Sequence, residues 1–507
     1  MKNLKTFVIV GSLTLLGACT DLNVEETDSR VVTTTAGAFT GVDPAATLTS
    51  AYNDLRQWGG QDNIYALNEV ASDELLVPTR GTDWGDNGVW RTIHQHTWDA
   101  THPQVLNTWN NVHRNLFKLS QLIDSRSNAS PTQLAAAKFL RAYWLFWALD
   151  MYRQVPQRGL DDARDVSPTV LTVQQTVDQI TQDLTDAIAG LPTVGPTGNT
   201  LGASKAAANY LRAKFLLNKH IYLGVAPVAA DMTAVASAVD AIAADGFALQ
   251  AGNYFDIFKA DTDSETVLWT DAGVGNRIWI GLHYNQTAPD NTGGGWNGFS
   301  TYADFYAKFE GSAASNEVGN GQEQRRGFVP KDGSTLGIGF GFLVGQQYNA
   351  TGVKLKDRAG NDLIFTKDFP GLAGNTERTG IRVIKYHPVN GGFSNHNILM
   401  RYADAHLMKV EAILRGGTSS TPALTLYNEL RTIRGATAAG AVTLDNVFDE
   451  RGRELYIEGW RRNDQVRFGK FNVPYGFMQN TQGFRSVYPI PAIATSTNPN
   501  LKQNEGY

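Results

Sequence analysis

The residues able to do chemistry in this 507-residue chain point away from bond-making. Nine histidines are present and none is followed by Glu, so the H-E-x-x-H zinc signature is missing. There is no G-x-S-x-G nucleophile elbow and no P-loop. Gly337-Ile338-Gly339-Phe340-Gly341 has the glycines of a phosphate loop but lacks the Lys-Ser/Thr that must follow. The turn Asp261-Thr262-Asp263-Ser264-Glu265 sets carboxylates at alternate positions, as a calcium site would. It lacks the turn glycine and distal Glu of an EF-hand loop, so an exposed turn is the better reading. No cofactor is expected beyond that lesser alternative of a structural calcium. Carboxylate pairs for glycoside hydrolysis are defined by a separation in space and leave no local signature.

A binding surface has stronger support. Sugar rings offer C–H faces that stack on aromatic rings, while Asp, Asn and Arg take the hydroxyls. Two loop-rich stretches carry that combination. The first is Arg80 followed by Asp83-Trp84-Gly85-Asp86-Asn87. The second runs from Trp279 to Trp296 and holds Tyr284 and Asn291 before Gly293-Gly294-Gly295. The candidate ligand contacts are therefore Arg80, Asp83, Trp84, Asp86, Asn87, Trp279, Tyr284, Asn291 and Trp296. Trp144, Trp147 and Trp460 lie on apolar patterns that place them in a core, and Trp90 and Trp98 fall where regular structure resumes.

Helical signals surround these loops. Pro44–Trp58, Gln104–Asp124, Thr132–Tyr152, Val173–Leu191 and Ser204–Leu223 have apolar residues at helical spacing. Ala136-Ala137-x-Phe139-Leu140-Arg141-Ala142-x-Trp144-Leu145 recurs 71 residues later as Ala207-Ala208-x-Tyr210-Leu211-Arg212-Ala213-x-Phe215-Leu216. That offset is near twice the ~34-residue tetratricopeptide period, and small residues between large ones suit stacked helical hairpins. Met400–Leu414 and Pro422–Arg434 predict another pair. Residues 251–399 differ: Gly-rich and loop-rich, with short strands predicted at Thr266–Thr270, Arg277–Leu282 and Ile381–Tyr386.

The stretch Asp445–Phe471 begins as a helix that Asp445 can cap, with Arg451, Arg453, Arg461, Arg462 and Arg467 interleaved among Glu450, Glu454, Glu458 and Asp464. Such a mixed run is a salt-bridged structural element before it is a catalytic cluster. Its order, D-E-R-x-R-E-L-x-x-E-G-W-R-R-x-D-x-x-R-F-G-K-F, resembles the C-terminal signature of the SusD/RagB family. The ending Tyr488-Pro489-Ile490-Pro491 with Asn498-Pro499-Asn500-Leu501 is similar to the same family's terminus.

The N-terminus adds an address. Lys2 and Lys5 precede an apolar stretch, Phe7–Leu16, too short to span a membrane. Leu16-Gly17-Ala18-Cys19 looks like a lipobox, and Cys19 is the chain's only cysteine. It is the expected lipid anchor, which leaves no thiol for a disulfide. Removing the two lysines of residues 1–18 takes the formal charge from −5 to −7, which gives no basis for nucleic-acid binding. Residues 1–18 then form a signal peptide, 19–43 a lipidated tether and 44–507 one domain. Within that domain, helical pairs occupy about 44–250 and 400–470, and the loop-rich insertion about 251–399.

The resemblance implies a mostly α, SusD-like fold: tetratricopeptide-like helix pairs in an α-α superhelix, with a loop-rich, short-stranded ligand face. It also implies an outer-membrane, surface-exposed, lipid-anchored glycan-binding protein without enzymatic activity. Its partner would be a SusC-like TonB-dependent transporter to which it delivers captured substrate. The acidic chain favours a neutral glycan such as a β-glucan. The alternatives are a surface-anchored glycoside hydrolase, a structural lid, and a peptide-binding relative with no glycan ligand.

Overall fold

The computed structural model describes residues 38–507, apart from 262, 290, 313–315 and 393–394. The signal segment, Cys19 and most of the tether lie outside the described residues. The chain opens with α1 (Pro44–Asn53), α2 (Asn63–Glu69), α3 (Val89–His94), α4 (Pro103–Ile123) and α5 (Pro131–Tyr152). A hairpin of β1 (Val155–Gln157) and β2 (Thr169–Leu171) leads to α6 (Val173–Gly190), α7 (Lys205–Leu223) and α8 (Ala229–Ala244). From α4 to α8 each helix packs on the next, as in a helical-repeat array.

Local chemistry explains the helix ends. Proline occupies the first turn of α1, α4 and α5. Ser130 with Gln133 and Thr172 with Gln175 form capping boxes on α5 and α6. Gly224, at φ 65°, closes α7 in the left-handed conformation that glycine adopts without strain. The repeated alanines Ala136, Ala137, Ala207 and Ala208 are all buried and let neighbouring helices approach closely. The repeated arginines diverge: Arg141 pairs with Asp183 of α6 at 2.7 Å, whereas Arg212 is exposed. Helix α8 has no counterpart among the predicted helices, because its Ala-rich sequence shows little contrast between faces, yet it packs on α7 and on the helix beginning at Tyr402.

The middle segment contains β3 (Thr266–Thr270), α9 (Gly275–Trp279), α10 (Ala303–Tyr306), β4 (Gly327–Phe328), β5 (Phe340–Leu343), β6 (Gly345–Gln346), β7 (Ile364–Phe365), β8 (Arg382–Ile384) and β9 (Asn397–Arg401). They form small antiparallel sheets, ordered β3-β9, β4-β5-β8 and β6-β7. The strand predicted over Arg277–Leu282 is instead the end of α9 and a turn. Every residue from Arg277 to Leu282 is buried, so apolar period could not separate the two. Gly337–Gly341 runs into β5 and forms no helix-capping phosphate loop.

The C-terminal part adds α11 (Tyr402–Leu414), α12 (Ala423–Ile433), α13 (Leu444–Leu455), α14 (Arg461–Arg467) and α15 (Ala492–Thr497). The cap of α13 is Thr443, reciprocated by Asn446, two residues before the expected Asp445. The helix that begins this stretch ends at Leu455, and Ile457 (φ 56°) and Gly459 (φ 86°) turn the chain into α14. The mixed charges of this stretch are buried in an ion-pair web. Glu454 receives Arg325 at 3.1 Å, Arg401 at 2.6 Å and Arg434 at 3.0 Å. Glu450 receives Arg325 and Arg431 at 2.6 Å, and Asp464 receives Arg451 at 2.8 Å. The terminal segment crosses this core: buried Tyr488 donates its hydroxyl to Leu67 O at 2.5 Å. Among the described residues no helix is long and apolar enough to cross a membrane.

Candidate functional site

Six of the nine predicted contacts line one cleft of about 580 Å³: Asp83, Trp84, Asp86, Tyr284, Asn291 and Trp296. Two segments about 200 residues apart in sequence build it. Trp84 Nε1 donates to Trp296 O at 2.8 Å and the Tyr284 hydroxyl donates to Asp83 Oδ2 at 2.5 Å. Trp84 packs edge-on against Trp90 and Phe299, each with centroids 5.7 Å away, and stays half-buried. Trp296 is half-buried as well, so both indoles have a face toward the cleft and a face toward the core. Asp86 anchors its loop by accepting from Trp90 Nε1 at 2.6 Å. Asn291 spans the glycine strap by donating to Gly294 O at 2.8 Å.

The strap needs its glycines for close approach. A Cβ on Gly295 would sit inside contact distance of Leu282 O, and one on Gly298 would enter the Trp84 ring. Trp84 (φ 59°), Asp86 (φ 36°) and Asn87 (φ 52°) are all in the left-handed region, which only a surrounding framework can hold.

Arg80 belongs to that framework and not to the ligand contacts expected of it. It is 3% exposed and donates to Asn297 O (2.7 Å), Gly298 O (2.6 Å), Ser300 Oγ (2.8 Å) and Thr379 O (2.9 Å). Arg382, also buried, donates to Asn297 Oδ1 (2.7 Å), Gly380 O (2.6 Å) and Glu377 O (2.8 Å). Burial pushes the Arg80 guanidinium down to about 9 and Arg382 well below its usual value. Two buried arginines bound to carbonyl and hydroxyl groups thus tie three loops together. Trp279 is likewise a correction: it is fully buried, and only its carbonyl reaches the site, accepting from Trp296 N at 2.7 Å. Asn87 is exposed beside the cleft but outside its lining.

The structure brings two further residues against the site, Arg358 and Glu377, that carried no local signal. Arg358 lies over the Tyr284 ring at 3.9 Å and donates to Asp83 Oδ2 at 3.0 Å. It also pairs closely with Glu377. His283 Nδ1 accepts from Asn285 N at 3.1 Å, so Nε2 carries the proton it gives to Glu377, 2.9 Å away. Burial lowers His283 to about 4, which keeps this imidazole neutral. Burial and the Asp83 carboxylate both push the Tyr284 phenol up. These partners sit 275 and 94 residues apart, beyond what any motif could reveal. Of the acidic turn, Asp263 is spent on Thr266 and the Glu265 backbone, and Glu265 on Arg401 and Arg434.

A helical-repeat scaffold bearing a loop-built aromatic cleft with fixed polar edges is an architecture suited to ligand binding. The chain belongs to the SusD family. A model described as "SusD family" matches residues 264–507, and one described as "Starch-binding associating with outer membrane" matches residues 23–217. The starch-binding protein SusD of Bacteroides thetaiotaomicron is 26% identical over 513 aligned residues, covering 90% of this chain and 87% of that protein. A laminarin-binding SusD-like protein superposes with a TM-score of 0.65 at 20% identity, covering 92% and 99% of the two chains. Surface glycan-binding protein A from Bacteroides fluxus gives 0.65 at 19% identity over 92% and 99%. At these identities the structural likeness establishes the shared fold.

Proposed function

We propose that the protein is a lipid-anchored glycan-binding protein of the outer-membrane surface that hands its ligand to a SusC-like TonB-dependent transporter. The observation that carries the binding part is the cleft itself: Trp84, Trp296 and Tyr284 supply aromatic surface, and Asp83, Asp86 and Asn291 supply fixed hydrogen-bonding edges. The names of its relatives, starch-binding and laminarin-binding, support a glucan class. The negative charge that Asp83 and Asp86 bring to the cleft disfavours a polyanionic chain and favours neutral glycans.

A binding role is favoured over hydrolysis by how the carboxylates are used. Asp83 is held by Tyr284 and Arg358, and Asp86 by Trp90, each as an acceptor in the loop's own frame. Lipidation at Cys19 and delivery to a transporter rest on the lipobox and on family membership. An open cleft leaves much of a glycan solvated, so affinity falls in the micromolar to millimolar range, about −8 to −4 kcal/mol.

The test is affinity electrophoresis of residues 20–507 through gels containing laminarin, starch, xylan, levan, mannan or alginate, with Trp84→Ala and Trp296→Ala alongside. One neutral glycan retards the wild type, and Trp296→Ala abolishes the retardation while keeping its thermal transition. Unchanged mobility in every gel overturns the glycan reading. New reducing ends in the incubated polysaccharide overturn the non-enzymatic part.

A further inference from the structure

A second pocket lies against the first. It measures about 250 Å³, and its wall includes Asn285, Thr287, Leu336, Tyr348, Asn349 and Ala350. Tyr284 lines the aromatic cleft and the adjacent Asn285 lines this pocket. The two pockets thus meet at consecutive residues, and both residues are held from the 356–358 segment. Arg358 covers the Tyr284 ring, and two residues earlier Lys356 O accepts from Asn285 Nδ2 at 2.7 Å.

The lining has the composition of a sugar subsite. Leu336 forms part of an apolar floor. Around it stand polar groups with unused capacity: the Tyr348 and Thr287 hydroxyls make no hydrogen bond among the described residues, and Asn349 spends only its Oδ1 on the turn Thr351–Val353. Between the two pockets Arg358 is 53% exposed and bonds through Nε and Nη2, with no hydrogen bond from Nη1 among the described residues. A planar donor thus sits where a chain crossing from one pocket to the other would pass.

Backbone strain marks both pockets. Eleven non-glycine residues have positive φ among the described residues, and six of them flank these two sites: Trp84, Asp86, Asn87 and Asn297 at the cleft, Thr335 and Leu336 at the second pocket. Such conformations persist where the surroundings over-determine them, typically at ligand clamps. Their concentration in two neighbouring places argues that the pair is one device.

We propose that the recognition site runs from Trp84 and Trp296 past Tyr284 and Arg358 into the second pocket. It then binds a linear glycan along the face, with a distinct subsite at Asn285, Tyr348 and Asn349. This rests on the glycan reading above. The two pockets together exceed what a single sugar fills, so affinity rises with chain length until the second pocket is occupied.

The experiment is isothermal titration with oligosaccharide ladders, disaccharide to octasaccharide, cut from each of the six panel polysaccharides. Ala350→Trp places an indole at the mouth of the second pocket from an exposed position; Tyr348→Phe removes one hydroxyl and keeps the ring. In the wild type the longest members bind about tenfold tighter than the shortest. Ala350→Trp removes that gain and leaves the shortest members unchanged, and Tyr348→Phe removes about two- to threefold for long members alone. Wild-type affinity independent of length, or long members bound equally by both variants, overturns the extended site alone. A wild type that binds no ladder overturns the glycan reading and this extension with it.

Discussion

The C-terminal ion-pair web and the aromatic cleft are both built from charged and aromatic side chains, and they end in opposite states. In the web Glu450, Glu454, Arg325, Arg401 and Arg434 are at most 1% exposed, and each charge is met by others within about 3 Å. In the cleft Asp86 is exposed, Trp84 and Trp296 are only partly buried, and the Arg358 side chain is 53% exposed. A charge whose partners are all internal has nothing left to offer a ligand. Side chains become available for recognition where the frame that holds them is satisfied by other groups. Here the frame is Arg80 and Arg382, buried arginines that bind backbone carbonyls and so leave the cleft's own polar edges free.

The web therefore breaks the molecule, and the cleft breaks only binding. Glu454→Gln removes the one carboxylate charge shared by three buried arginines and sets an amide donor against them. Stranding a buried charge costs about 3–5 kcal/mol, enough to unfold a marginal domain. The expected result is a large fall in the urea midpoint of residues 20–507, with glycan retention lost only where the protein is unfolded. A normal midpoint would mean that the web is redundant. Arg80→Ala is the intermediate case. It frees several buried carbonyls and the Ser300 hydroxyl, so it lowers stability and abolishes retention together.

Titration separates the two halves of the charged core. Burial tends to raise Glu450 and Glu411, but Arg325 with Arg453 and Arg431, and Arg467 with Arg415, overcome it and hold both near 2. Their stabilisation is complete above the ordinary value near 4.5 and is lost as pH falls through about 2. Glu69 and Glu74, buried under the start of the ligand loop, behave in reverse. Burial raises Glu69 to about 7, and burial with the Glu69 carboxylate raises Glu74 well above its usual value. The Glu69 contribution is complete below about 4.5 and is lost as pH rises through about 7, and Glu74 acts in the same direction. Thermal melts between pH 3 and pH 9 should show a stability maximum on the acid side of neutrality, and Glu69→Gln should flatten the alkaline limb. An unchanged alkaline limb in Glu69→Gln would exclude the pair as its cause.

How much of this was legible follows from how far each signal reaches. Helix pairs, the terminal signature and six cleft residues are set by runs of ten to thirty residues, where period and loop composition are visible. The helix α8 escaped because alanine gives no face. Arg277–Leu282 misled because burial on all sides erases period. Arg80 and Trp279 looked like ligand contacts because exposure was inferred from a loop's composition, while their burial depends on Asn297, Thr379 and Trp296 from distant segments. Arg358 and Glu377 join the site only through three-dimensional closure.

Within the cleft, Trp296→Ala is the next largest effect. Deleting a half-buried indole that lines the site removes about 2 kcal/mol of binding, roughly 30-fold, while the buried frame at Arg80 and Arg382 stays intact. Titration calorimetry against the retarding glycan, paired with a thermal melt, checks both halves. A loss of stability as large as the loss of affinity would make Trp296 a core residue and erase the contrast with the web.

The smallest effect sharpens the contrast most. Asp86 is exposed, and its one structural duty is to accept from Trp90 Nε1. Asp86→Asn keeps an oxygen there and deletes the charge, so the loop holds its shape. Affinity for the neutral glycan should stay within about twofold, since an exposed charge contributes little to a neutral ligand. Retardation in alginate should increase by a similar small factor at low ionic strength and vanish in added salt, because only long-range repulsion has been removed. A tenfold fall for the neutral glycan would instead make the Asp86 carboxylate a direct hydroxyl acceptor. Its charge would then be a ligand contact left open by the Arg80–Arg382 frame, and no longer a filter at the rim.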